Sequence, residues 1–250
     1  MEQKEIRNYQ PAGVDFERRG ASSYDYEVQA SMAFPLLMRK VYLWMTLALL
    51  ITALTAYYVA TSPAVLAIIY GNPPVLFGML IGELALVVAL SWAINKLSLT
   101  AATLMFVLYS VVNGATLSSI FLVYSSASIV SVFLITAGTF AAMAAYGYFT
   151  KTDLTSIGKI LLMALIGIII ATLVNIFLKS DGLTMILNYL GVLVFVGLTA
   201  YDSQKIKEML IQAPDAGEAA QKVALLGALS LYLDFVNLFL YLLRIFGRRE

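Results

Sequence analysis

Two hundred and fifty residues with 61% hydrophobic and only 12% charged side chains leave too little polar surface to cover a water-soluble core, since ordinary globular chains run at roughly 45–50% and 25%. The composition places the chain in a membrane. The absence of cysteine and histidine excludes a disulfide framework and removes the commonest general base and metal ligand, and a net charge of +1 gives no basis for nucleic-acid binding. No resident cofactor is expected.

The first forty residues carry six basic and six acidic side chains and no long apolar run. They lack the short basic start and immediate apolar stretch of a signal peptide, so residues 1–38 are expected to form a partly disordered cytoplasmic arm. Val28 to Met38 is expected as a short amphipathic approach, with Arg39 and Lys40 at the headgroups. From residue 39 onward the chain reads as one membrane domain. A transmembrane helix needs about 20 mostly apolar residues, and seven such runs follow: Val41 to Ala60, Val75 to Asn95, Ala101 to Tyr124, Ala127 to Phe149, Ile157 to Leu178, Thr184 to Gln204 and Val223 to Leu243. Turn signals separate them, among them Ser62-Pro63, Asn72-Pro73-Pro74, Ser125-Ser126 and Pro214-Asp215-Ala216-Gly217, where Pro and Gly interrupt helices for backbone reasons. The ten-residue alternation of an outer-membrane barrel is absent. The fold class is an all-α integral membrane protein, a seven-transmembrane-helix bundle.

Basic residues set orientation. With the N-terminus inside, the inner segments hold six in the arm, then Lys96, Lys151, Lys159, Lys205, Lys207 and Lys222, whereas the outer loops hold only Lys179. The N-terminus is therefore expected in the cytoplasm. Seven crossings leave Arg248 and Arg249 outside, against the rule; a re-entrant last segment would keep both ends inside. Seven full crossings is the preferred reading.

Within a bilayer the informative residues are those that are costly to bury. An ionisable side chain at mid-depth costs roughly 2.5–3.5 kcal/mol on insertion scales, and three acids fall within spans: Glu83, Asp202 and Asp234. No basic residue lies at comparable depth, so protonation, mutual hydrogen bonding or water must neutralise them. Gly227, Ser230, Asp234, Asn237 and Tyr241 are spaced 3, 4, 3 and 4, which puts them on one face of the last helix. Such a stripe has a plain use in interhelical hydrogen bonding; Asp234 adds a titratable group that packing alone does not require. The sixth and seventh spans are antiparallel neighbours, a geometry that can bring Asp202 and Asp234 together. Two carboxyls in contact do not both ionise cheaply and titrate as a coupled pair. Asp202 also has a plainer reading, as an interfacial acid paired with Lys205 or solvated. Glu83 follows Gly78 and Gly82, and Tyr109, Asn113 and Thr116 in the third span are its expected partners. Asn175 is expected to be structural.

The segment Ala228-Leu229-Ser230-Leu231-Tyr232-Leu233-Asp234-Phe235-Val236-Asn237-Leu238-Phe239-Leu240-Tyr241-Leu242-Leu243-Arg244 closely resembles the terminal signature of the Bax inhibitor-1 family (transmembrane Bax inhibitor motif proteins), in its bacterial branch. Tyr201-Asp202 with Gln204 and Ile206 is similar to that family's sixth-helix motif, and Glu83 with Trp92 to its second helix. The resemblance extends from about Arg39 to Gly247. It implies a bundle whose last helix is surrounded by the other six, located in the bacterial cytoplasmic (inner) membrane. It further implies a pH-sensitive calcium leak channel in which Asp202 and Asp234 form the proton sensor and gate, and a transient metal site, with calcium as the permeant ion. The family's latch arginine corresponds to Ile94 here, and the nearest base, Lys96, is its possible replacement, without the two-pronged guanidinium geometry. Asn237, Tyr241, Ser230 and Glu83 supply hard oxygens of the kind calcium takes as pore or supporting groups.

The alternative is a membrane-embedded regulator that binds a partner such as a membrane protease, with the arm as a contact. An intramembrane aspartyl protease is a distant third, because Asp234 follows Leu231-Tyr232-Leu233 instead of the Gly-x-Gly those enzymes carry. The chain is accordingly not expected to be an enzyme. A retinal-binding pump fails because the last span contains no lysine for a Schiff base.

Overall fold

The computed structural model describes residues 14–248, with side chains from residue 32 onward. Its regular elements are helices: α1 (Val14–Ala60), α2 (Pro63–Tyr70), α3 (Pro73–Ala93), α4 (Leu99–Leu117), α5 (Ile120–Val123), α6 (Ser126–Phe149), α7 (Thr155–Leu178), α8 (Asp181–Ile211) and α9 (Glu218–Phe246). Among the described residues seven stretches are long and apolar enough to span a membrane, and the chain is an all-α membrane bundle. The residues that mark turns in the sequence do so by identifiable chemistry. Pro63 and Pro73 stand in the first turns of α2 and α3, where a missing N–H costs nothing. Ser98, Ser125 and Ser180 each accept a backbone N–H at a helix start, satisfying one otherwise unpaired donor. Asn175 is structural: its side chain closes the α7–α8 turn through Ser180 N–H at 3.0 Å and Thr184 Oγ1 at 2.7 Å.

Two boundaries differ from expectation. The first helix runs through residues 38 and 39 without a break, with Pro35 inside it, so no change of backbone marks the expected arm boundary, and the approach at Val28 to Met38 is part of one long helix. An interior proline removes one backbone hydrogen bond but need not end a helix. The arm's first thirteen residues lie outside the described residues. The second difference is α2, an eight-residue helix between two proline starts, where the sequence shows only punctuation.

The last helix is the most enclosed: two thirds of its most apolar window is buried (67%), against 6% for the spans of α3 and α7. It packs on α1, α4, α6 and α8. The spans of α3 and α7 stand further out, α3 packing chiefly on α4 and α2, and α7 on α8. The physical reason is legible in hydropathy. The α3 and α7 spans have the highest values, 2.1 and 2.8, and a helix apolar all round is at home against lipid.

Polar contacts hold α9 at both ends. At the end rich in lysine, Lys40 Nζ donates to Gln221 Oε1 at 2.8 Å and Leu99 N–H to Glu218 Oε1 at 3.1 Å. At the opposite end Ser125 N–H donates to the Arg248 carbonyl at 3.1 Å, and Arg248 N–H to Ser128 Oγ at 3.0 Å. Twenty-nine residues at 1.5 Å each extend about 43 Å, so α9 is one unbroken helix long enough for a full crossing. Beside it α6 and α8 approach closely, because Gly147 faces the Ala200 backbone and Ser203 Oγ donates to the Ala144 carbonyl at 2.8 Å.

A side chain at position 147 must push α6 and α8 apart. Gly147→Leu is expected to lower stability by ~1–3 kcal/mol, read as a drop in melting temperature in detergent. Gly138→Leu, on the same helix with open space around it, should leave the melting temperature unchanged.

Candidate functional site

The α9 stripe expected from spacing converges on one place. Ser230, Asp234, Asn237 and Tyr241 line a cavity of about 340 Å³ together with Asp202 of α8, and Leu162, Leu165 and Ile169 of α7 close it on the apolar side. Asp202, Ser230 and Leu233 also line a second cavity of about 220 Å³ toward the lysine-rich end, where Gly227, Lys205 and Ser91 join them. At the other end, a third cavity of about 270 Å³ lies around Asp181, Asn188 and Arg244. The Arg244 guanidinium sits 5.5 Å from the ring centre of Tyr241, so these two residues separate the third cavity from the first.

Asp234 is 5% exposed and its Oδ2 has no hydrogen-bond partner. No hydrogen bond joins it to Asp202 among the described residues, and the two residues line one cavity. A bare carboxylate so enclosed has nothing to offset its desolvation, so it requires a proton, a water or a cation from the cavity. Asp202 is half-buried and differs from its neighbours in the same way. Ser203 binds α6, Gln204 clamps the α6–α7 loop by accepting from Leu154 N–H and donating to the Thr152 carbonyl, both at 2.8 Å, and Lys207 Nζ donates to the Tyr148 carbonyl at 2.7 Å. The Tyr201 ring fills the space over Gly158 of α7. Tyr201, Ser203, Gln204 and Lys207 thus dock the helix, whereas Asp202 lines the cavity.

The remaining stripe residues are held in simple ways. Asn237 Nδ2 donates to the Leu233 carbonyl at 2.8 Å, leaving its carbonyl oxygen for the cavity. Tyr241 stacks on Phe195 with ring centres 5.8 Å apart, and its ring occupies the place a side chain at Gly191 would take.

Glu83 and Lys96 are not brought to this cavity. Glu83 accepts from Thr116 Oγ1 at 2.6 Å and from Asn113 Nδ2 at 3.2 Å, two of the partners expected for it. Asn113 Oδ1 in turn accepts from Tyr232 OH at 3.0 Å, and Thr52 Oγ1 lies 2.7 Å from that hydroxyl and 3.0 Å from the Ser110 carbonyl, its one proton serving either acceptor. One polar chain thus ties α3, α4, α9 and α1. It lies across α9 from the acid cavity, because Tyr232 and Asp234 are two residues and about 200° apart on a helix. Lys96 is exposed and lines none of the three cavities. The base at the lysine-rich mouth is Lys205, 5.7 Å from the Tyr201 ring centre and in the same cavity as Asp202.

Sequence reasoning missed Tyr232 and Thr52 as a buried pair. A tyrosine in mid-span was the available signal, since its hydroxyl needs a partner when enclosed. Lys205 was weighed only as a direct ion-pair partner of Asp202, a contact absent among the described residues.

A family profile described as "Inhibitor of apoptosis-promoting Bax1" matches residues 35–250. The chain is 53% identical over 228 residues to the inner membrane protein YbhL of Escherichia coli, covering 90% of this chain and 97% of that one. It is 49% identical over 213 residues to an uncharacterized protein of Borreliella burgdorferi, covering 85% and 92%. An uncharacterized protein of Rickettsia prowazekii is 41% identical over 215 residues, covering 85% and 89%.

Removing the central hydroxyl of the polar chain should cost about as much as an interhelical hydrogen bond in a membrane. Tyr232→Phe is expected to lower stability by ~0.6–2 kcal/mol in a detergent melt, whereas Tyr58→Phe, at an exposed position, should melt as the wild type does.

Proposed function

The chain belongs to the Bax inhibitor-1 family, and from that membership we propose that it is a pH-sensitive cation leak of the bacterial cytoplasmic membrane, with calcium as the ion carried. The observation that carries this reading is the unpartnered Asp234 carboxyl opening with Asp202 onto one cavity. When the pair holds a proton, the cavity carries little charge and offers a cation no reason to leave water. As pH rises the proton is lost. Two negative charges in one enclosed space repel each other and attract a hard cation. Ser230, Asn237 and Tyr241 supply further oxygens along the same face. Calcium takes six to eight oxygen ligands, more than two carboxylates and three neutral groups readily give, so the ion keeps part of its water and does not settle. That suits passage better than storage.

The three cavities follow one another along α8 and α9 in the order expected of a route. Lys205 stands at the lysine-rich mouth and takes the part proposed for a latch more naturally than Lys96, because it already shares a cavity with Asp202. A lysine holds that position as a point charge, without the paired donors of a guanidinium. The lysine-rich end faces the cytoplasm on the positive-inside rule, which puts the N-terminus inside. In this reading no covalent bond is made or broken, and the molecule acts as a channel.

Calcium flux into proteoliposomes, measured across pH, tests the proposal. The wild type should conduct more as pH rises, and Asp202→Asn and Asp234→Asn should each lose most of that dependence. Wild-type pH profiles in both variants would place the gate elsewhere. Flux absent at every pH in the wild type would instead favour a role exercised by binding a membrane partner.

A further inference from the structure

Helices α1 and α6 both pack on α9 yet stand apart from each other along most of their length. Between them lies a cleft of about 720 Å³, twice the size of the acid cavity. Its α6 wall is cut back to Ala137, Ala141 and Ala144, its α1 wall is Met45 and Leu49, and Phe235 of α9 forms the floor. That floor is stiff, since Phe133 and Phe140 each lie 5.4 Å from Phe235, ring centre to ring centre. Asp234 does not line the cleft, which is thus separate from the cavity of the proposed ion route.

An apolar cleft between two spans faces hydrocarbon, where water has no polar partners to hold it. Acyl chains are what the surroundings offer. At the lysine-rich end the chemistry changes. Phe34 and Tyr148 stack across the gap with ring centres 6.3 Å apart, and Arg39 and Tyr42 line the cleft beside them. Lys207 sits 5.2 Å from the Tyr148 ring centre, and Lys40 follows Arg39 on α1. No acid lines the cleft, and among the described residues no carboxylate pairs with Arg39, Lys40 or Lys207. A guanidinium at the end of an apolar slot matches a phosphate at the end of an acyl chain, and basic pockets between spans on the cytoplasmic side favour anionic headgroups.

We propose that the α1–α6 cleft binds one anionic phospholipid, an acyl chain lying along Ala141 and Phe235 and its phosphate on Arg39. The lipid completes the ring of helices around α9 where protein leaves it open.

The test uses the full chain reconstituted in vesicles of phosphatidylethanolamine and phosphatidylglycerol, extracted gently and weighed by native mass spectrometry. One phosphatidylglycerol per protein should be retained in preference to phosphatidylethanolamine. Arg39→Gln, at an exposed position, should reduce that preference about fivefold, and Arg39→Lys should keep most of it. Ala141→Phe, also at an exposed position, should expel both lipids by filling the slot. Equal retention of the two lipids by the wild type, or an unchanged preference in Arg39→Gln, overturns the assignment. So does a lipid-free protein dimer, which would give the cleft to a second copy.

Discussion

Asp234 lies near the middle of the most enclosed helix with one carboxyl oxygen facing no donor, and the rest of the polar arrangement is organised around that exposed need. In water the group would be hydrated at no cost. Between helices, desolvation of a lone charge amounts to several kcal/mol, more than a single packing contact returns. A protein that only required a firm helix contact at this position would do better with asparagine, which packs alike and cannot ionise. Retaining a carboxyl here makes sense if its neutralisation is meant to vary, and the cavity shared with Asp202 provides the space in which it can.

The two sides of α9 are treated differently. Toward α3 and α4 a chain of polar groups is hydrogen-bonded, from Glu83 through Asn113 to Tyr232. Such a satisfied network stiffens the contact between helices. Toward α8 the acids are left without direct partners, and the groups around them are held by other bonds, as Asn237 is by its own helix and Tyr241 by Phe195. One side fixes the central helix and the other leaves its acid without a protein partner. The α1–α6 cleft adds a third surface, where the bilayer itself is enlisted in packing.

Much of this was legible in the chain. Hydropathy alone located the seven spans, because each must cover the same thickness of hydrocarbon. The 3-4-3-4 spacing from Gly227 to Tyr241 predicted a common face, and those residues do line adjoining cavities. Asn113 and Thr116 were identified as partners of Glu83 from their places on one face of α4. What escaped was the arrangement of helices around the centre. How closely α3 and α7 approach α9 depends on packing across several helices, which no single segment records. Nor does a single segment record that Lys205 shares a cavity with Asp202 while Lys96 lines none of the three. Tyr232 was hidden in the signature by its apolar ring, although its hydroxyl is the joint of a four-helix network.

The central claim is that Asp202 and Asp234 compete for protons as one unit. Infrared difference spectroscopy of the reconstituted protein, with pH stepped and each aspartate replaced in turn by asparagine, observes their carboxyl bands directly. The account predicts that a protonated-acid band assigned to Asp234 disappears as pH rises, and that Asp202→Asn moves the pH at which it does so. An Asp234 ionised at every pH, or one whose titration is indifferent to residue 202, would contradict it.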